Sequence, residues 1–446
     1  MRRLAAVLTL ALPLLAGCSQ RAHLNPFDPA NPATAGRPAD FQALADDQVV
    51  HLRWQASSSA ALRGYQVFRL APGDTAWRPL TGVLPPTATS QGDFGLLNGA
   101  DHRYRLYFVF ADGLGGRPAE DVATPGPLRP WIADYGANRL VRLSADGRHV
   151  VESLPVDGGA DPVAVDVDRD DGRVWVVGPG GDVAVYSPSS GLTSVIGQGL
   201  GTLVSVIVDR PDSSAWIADA TNGRLVHLLP SGARPDPPVL TGLQYPGCLA
   251  LDRADGSVWV AEQDGDRVRR YTAAGALAAS AVVARPSRVA VDPLTHEAWV
   301  TSLDLGRVVR LSAAGVPLDT IPGFRGPIGI AVDATRRRVW VADAAGDEVV
   351  ALDLDGTVRF RVGGQAEPRE IAVDGNSGEA WVTLAAAGAV SRLSPGGTEI
   401  LRVGGMGGPW GIALDDLGER PSPAAARATT GRSAGARRAP GRRQKL

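Results

Sequence analysis

Beyond about Pro38 the chain alternates apolar and polar positions in short runs. Val49-Val50-His51-Leu52-Arg53-Trp54, Gly64-Tyr65-Gln66-Val67-Phe68-Arg69 and Tyr104-Arg105-Leu106-Tyr107-Phe108-Val109 each read as a strand, and turn residues separate them. The Pro-rich stretch Thr124–Pro130 reads as a linker. A repeat follows. Tryptophans stand at 131, 175, 216, 259, 299, 340 and 381, at intervals of 40 to 44 residues. Seven residues before each Trp after the first lies an Asp: Asp168, Asp209, Asp252, Asp292, Asp333 and Asp374. Six residues before those lies Pro162, Pro246, Pro286, Pro327 or Pro368, with Leu203 as the exception. One unit runs as a strand from Pro286, a turn, a strand around Trp299, a turn, and a strand over Gly306–Leu311. A weaker fourth strand precedes the next Pro. Four short strands in about 41 residues make one propeller blade.

Closure can be counted. Pro409 and Asp415 continue the series without a following Trp, and Trp131 lacks a first strand of its own. Pairing 409–415 with the strands after Trp131 completes a ring without an exposed end. The expected fold is all-β: a seven-bladed β-propeller over 130–417, preceded by a small β-sandwich over 38–124.

The strands carrying Trp54, Tyr65-x-Val67-x-Arg69 and Tyr104–Val109 resemble a fibronectin type III domain. The Pro–Asp–Trp units resemble NHL repeats and the blades of virginiamycin B lyase and gluconolactonase-like propellers. That resemblance covers about 130–415 and implies a fold more than a function, because propellers serve many roles.

Met1-Arg2-Arg3 precedes an apolar run, Leu4 to Ala16, too short for a permanent membrane span. It ends Leu15-Ala16-Gly17-Cys18, which resembles the bacterial lipobox. The resemblance implies a signal peptide over 1–17, lipidation at Cys18 and a membrane partner through the lipid anchor. With Ser19-Gln20 next, it places the chain in the cell envelope, at the outer membrane, the periplasmic face or the cell surface. Residues 18–37 then read as an extended tether. Cys248 has no second thiol to pair with and reads as a small buried hydrophobe.

Composition adds two points. The 54 glycines and 34 prolines among 446 residues are the turns of the repeats. The net charge of −2 resolves into +2 at Arg2 and Arg3, +7 over 418–446 and −11 over 4–417, which argues against a nucleic-acid partner. The 418–446 segment contains the sole lysine, Lys445, and reads as a disordered basic tail, with a frameshift as the alternative.

The repeated Asp ends a strand before a tight turn, where it caps backbone N–H groups. A second acid set, Asp134, Asp219, Glu262 and Asp343, follows the Trp strands and reads mostly as turn capping. The loops leading into the first strands carry Tyr245, Arg288, Arg325, Arg369, Glu370 and Trp410, a candidate ligand-binding face at a channel mouth. Asp166–Gly172 is similar to a calcium loop, but Asp171 displaces its glycine, so no metal is assigned. The propeller histidines, His149, His227 and His296, do not fall where a general base is needed. No catalytic set and no cofactor is expected. The expected role is binding a protein or glycan partner on the propeller face, as a monomer. The alternative implied by the resemblance is a lyase or lactone hydrolase using a metal at the central channel.

Overall fold

Short runs of Val, Leu and Trp between glycine turns fold almost wholly as strands. The computed structural model describes residues 25–416, apart from residues 32–33, 157–160, 189–190, 198, 210–212 and 235–238. The signal segment with Cys18 and the tail over 418–446 lie outside the described residues. Among the described residues no helix is long and apolar enough to cross a membrane.

The chain divides into two compact units, one of residues 1–43, 52–91 and 102–122, the other of 44–51, 92–101 and 123–446. In the first, Gly64–Leu70 and His102–Phe110 pair antiparallel at the centre of a five-stranded sheet. Tyr65 is fully buried between Trp54, at 5.6 Å, and Phe108, at 5.8 Å between ring centroids. The tether expectation needs correction here. The described residues between 25 and 37 are not extended: Asn25 and Asp28 cap successive turns, and Phe27 packs edge-on against Phe108 and Phe110. An aromatic ring with two aromatic partners gains more from burial than from trailing in water.

The second unit is a β-propeller built from four-stranded antiparallel sheets. Among the described residues, six of these sheets each use four consecutive strands. Their first strands are Ala164–Val167, Leu203–Val208, Pro246–Asp252, Pro286–Asp292, Pro327–Asp333 and Pro368–Val373. Another sheet is assembled from both ends of the repeat region. Pro409–Asp416 pairs with Leu128–Asp134, which places Ala413 opposite Trp131 and Asp416 opposite Leu128. The linker is therefore shorter than its Pro content suggests, since Leu128, Arg129 and Pro130 already belong to a strand. Each first strand touches those of the sheets before and after it, and Pro409–Asp416 touches both Pro368–Val373 and Ala164–Val167.

The tryptophans hold neighbouring sheets together. Trp131 packs on Val165 and Val167 of the next sheet, Trp175 on Leu203 and Val206, and Trp259 on Val289. Trp299 packs on Ile330, Trp340 on Ile371, and Trp381 on Ile412 and Ile132. Each indole removes roughly 200 Å² from water, several kcal/mol at roughly 25 cal/mol/Å². The repeated Asp caps its turn: Asp252 Oδ1 accepts the Ala254 N–H at 3.1 Å and Asp292 Oδ1 the Leu294 N–H at 2.9 Å.

Candidate functional site

The second acid set is consumed by the fold. Asp343 is buried and accepts the N–H groups of Gly326 at 2.6 Å and Arg325 at 2.9 Å. Asp134 accepts those of Gly407 and Gly408 at 2.8 and 3.0 Å, and Glu262 that of Gln244 at 2.7 Å. Each acid ties a turn to the loop that leads into a first strand. Asp219 is bound by Asn222 and Arg224; burial works against its charge, but these hydrogen bonds win and hold its carboxyl below the usual range.

In several sheets the first strand is irregular just after its Pro. Register shifts fall between Pro286 and Val289, Pro327 and Ile330, Pro368 and Ile371, and Pro409 and Ile412. A bulge of this kind re-aims a side chain. The Arg288 N–H is taken by the Thr301 hydroxyl at 3.0 Å and the Glu370 N–H by that of Thr383 at 3.0 Å. The equivalent position is held in turn by Ala164, Ser205, Cys248, Arg288, Gly329, Glu370 and Gly411, so one level of the channel carries one guanidinium and one carboxylate.

Those two meet across an intervening sheet. Arg288 Nε donates to Glu370 Oε2 at 3.2 Å, while Arg288 NH1 donates to the Gly247 carbonyl at 3.2 Å. The strand between them contributes Gly329, whose missing side chain leaves room: a Cβ there would stand 2.4 Å from the Arg369 carbonyl oxygen. Burial pushes the Glu370 carboxyl above its ordinary range despite the opposing pull of Arg288. The Cys248 thiol is raised by the same cause.

Above this level lies a pocket of about 270 Å³ at the channel mouth, lined by Tyr135, Tyr245, Gln263, Ser287, Arg288 and Trp410 among others. Tyr135 stacks on Trp410 with centroids 4.9 Å apart, and Tyr135 and Tyr245 are each 38% exposed. Below it a cavity of about 180 Å³ is lined by Asp166, Ser205, Cys248, Arg288 and Glu370. Arg288 faces both. Asp166, standing where most first strands have Ala, accepts the Val208 N–H of the neighbouring sheet at 2.8 Å.

Of the candidate residues, the structure brings Tyr245, Arg288 and Trp410 to one pocket and places Glu370 beneath it. It does not bring Arg325 there: that side chain is exposed, and its backbone N–H donates to the Asp343 carboxylate. Arg369 lies outside the pocket lining, with its guanidinium 4.8 Å from the Trp410 ring centre and an ion pair to Glu367. Sequence reasoning missed Tyr135 and Gln263. Each directly follows a capping acid, Asp134 or Glu262, and that adjacency was the available signal.

A divalent metal at the mouth would need several converging oxygen or imidazole donors. The mouth offers neutral hydroxyls, one amide and a guanidinium, and its nearest carboxylate, Glu370, is already paired. These residues do not fit a metal centre. His227 is elsewhere, bonded to Ser214 at 2.6 Å and stacked on Trp216 at 4.1 Å. His296 lies in the turn at the far end of its first strand, its Nδ1 2.7 Å from Asp252. Asp252, Asp255 and His296 do converge, with donor atoms within 4.8 Å of one another, but Arg270 reaches Asp255 at 2.5 Å and supplies the positive charge there.

No curated protein matches the chain by sequence. Among solved structures, a protein of unknown function from Desulfotomaculum acetoxidans DSM 771 superposes with a TM-score of 0.54 at 16% identity, covering 64% of this chain and 98% of that one. A nidogen/laminin complex gives a TM-score of 0.44 at 13% identity, with 65% of this chain and 99% of that one covered. Residues 150–418 match the virginiamycin B lyase family. That match spans more than half of the sequence, and the chain belongs to the virginiamycin B lyase family.

Proposed function

We propose that this is an envelope lipoprotein, lipidated at Cys18, with a fibronectin type III-like sandwich and a closed seven-bladed propeller that binds a protein or glycan at its channel mouth. The observation that carries the binding role is the mouth itself. Tyr135 and Tyr245 are exposed large side chains at the edge of a concave pocket, and Trp410, Gln263 and Arg288 are also in its lining. Exposed aromatics around a pocket with a few polar groups are what a recognition site needs. Family membership favours a second reading, a lyase, but the donors a metal would require do not converge there.

Envelope extract passed over the full chain should yield one saturable component, lost when Tyr245 and Trp410 are both changed to Ala. Retention of that component by the double variant would place binding elsewhere. Magnesium-dependent ring opening of a cyclic depsipeptide lactone by the wild-type chain would instead establish the lyase reading. Cys18→Ser should move the chain from the membrane to the soluble fraction, and continued membrane attachment would remove the anchor from the proposal.

A further inference from the structure

The charges inside the channel are unequal. The mouth pocket and the cavity beneath it are lined by one cationic side chain, Arg288, and two carboxylates, Glu370 and Asp166. Arg288 gives Nε to Glu370 and NH1 to the Gly247 carbonyl, so one guanidinium serves one carboxylate and one backbone oxygen. Asp166 receives only neutral backbone donors, the N–H groups of Val208 and Val167. Among the described residues, one negative charge in this space therefore has no cationic partner. Arg288 and Glu370 are 20% and 25% exposed, so both remain accessible from the cavity.

The mouth above adds aromatic surface, and Arg288 is the one charged side chain in its described lining. Tyr135 and Tyr245 are exposed and Trp410 is stacked between neighbours, and the negative faces of aromatic rings attract organic cations. Arg369 demonstrates this affinity within the protein, lying 4.8 Å from the Trp410 ring centre. A compact inorganic dication is a poor match, since it would have to shed its water for too few anionic donors. An ammonium on an apolar or aromatic body is a good one. Its body would rest against the tyrosines while its charged head reached the carboxylates.

We infer that the channel is a receptor for a primary-amine ligand, its ammonium directed at Glu370 and Asp166 and its body held by Tyr135, Tyr245 and Trp410. This rests on the reading of the mouth as a binding site and names the class of group it takes.

The test titrates the full chain at about pH 8, where carboxylates are ionised and amines remain protonated. Three probes of matched shape are compared by ligand-observed NMR or calorimetry: phenethylamine, 2-phenylethanol and 3-phenylpropionate. The amine should bind at least about tenfold more tightly than either other probe. Glu370→Gln should weaken the amine about tenfold, whereas Arg288→Gln should tighten it severalfold, because removing the lone cation leaves the cavity more negative. Opposite signs from two neighbouring substitutions are not produced by general unfolding. Tighter binding of the propionate, equal binding of all three probes, binding of none, or equal weakening by both substitutions would each overturn the inference. A preference for the propionate would do so while leaving the mouth a binding site, since capture of the envelope component is read with a different variant.

Discussion

Arg270 lies directly across the strand pair from Trp259, with its guanidinium 5.6 Å from the ring centre. The same cross-strand pair recurs as Trp131 with Arg142, Trp299 with Arg310 and Trp381 with Arg392. Each arginine also meets an acid: Glu152, Asp255, Glu297 or Glu379. The pairing explains how a repeat can bury an indole yet keep soluble edges. The arginine covers the ring with a flat cation and turns its hydrogen bonds toward carboxylates at the rim. Where the third strand offers Ala351 instead, Trp340 is flanked by Arg338 and Phe360.

The indole nitrogen of Trp259 makes no hydrogen bond, and the same holds for Trp131, Trp175, Trp299, Trp340 and Trp381. The ring thus works through area and not through its N–H. Trp259→Phe should cost about 1 kcal/mol or slightly more, and Trp259→Ala about 3–5 kcal/mol, because it leaves a cavity between two sheets. Denaturant unfolding of both variants checks this. Equal losses would mean that the indole N–H matters after all.

Asp219 supplies a pH signature. Its carboxyl is held below the ordinary carboxylate range, so the folded state favours the ionised form. The associated stability is present above the unfolded pKa and is lost as pH falls through the lower folded one. Asp219→Asn should therefore destabilise the protein by about 1–3 kcal/mol near neutrality, from weaker bonds to Asn222 and Arg224. The gap between the melting curves of variant and wild type should close below about pH 4. A gap that persists unchanged in acid would show that geometry, not charge, is responsible.

The propeller was legible because its signals are periodic and local. The Trp–Asp spacing reports the strand–turn–strand hairpin directly, and the isolated Trp131 and Asp415 show where the ends must meet. The candidate site was only half legible. Tyr245 and Trp410 stand out as aromatics beside an inner-strand proline, but the Arg288–Glu370 pair joins residues 82 positions apart. That contact depends on Gly329 between them and on bulges that turn both side chains into the channel. Arg325 looked equivalent to its neighbours in composition, yet its position relative to the proline differs, and the fold sends it outward.

Gly329 should accordingly resist substitution. An added Cβ would meet backbone, the Arg369 carbonyl at 2.4 Å, and backbone cannot swing away as a side chain can. Gly329→Ala should cost about 1–3 kcal/mol. Gly363→Ala is the control, because a Cβ at that position meets nothing within 4 Å; it should change stability by less than about 0.5 kcal/mol. Thermal melting of the two variants separates them, and a neutral Gly329→Ala would show that the inner strands can spread apart.

The seam is the remaining place where one side chain does more than its repeats require. Asp134 accepts the Gly407 and Gly408 N–H groups and pairs with Arg139 at 2.8 Å, while Arg139 also donates to the Gly405 carbonyl at 2.6 Å. Asp343 makes similar bonds, but to Arg325 and Gly326 only 18 and 17 residues away. Asp134 reaches across 273 and 274 residues, so its bonds hold the last first-strand loop against the first repeat. Removing either acid abandons buried donors and should cost about 3 kcal/mol. Only at the seam should the loss also free a sheet edge, because strand Pro409–Asp416 has no covalent neighbour in its own sheet. Asp134→Ala should thus speed proteolysis between about residues 403 and 416 well beyond the effect of Asp343→Ala at matched global stability. Limited proteolysis with mass mapping reads the difference, and equal cleavage patterns in the two variants would mean that strand pairing alone, not the Asp134 latch, closes the ring.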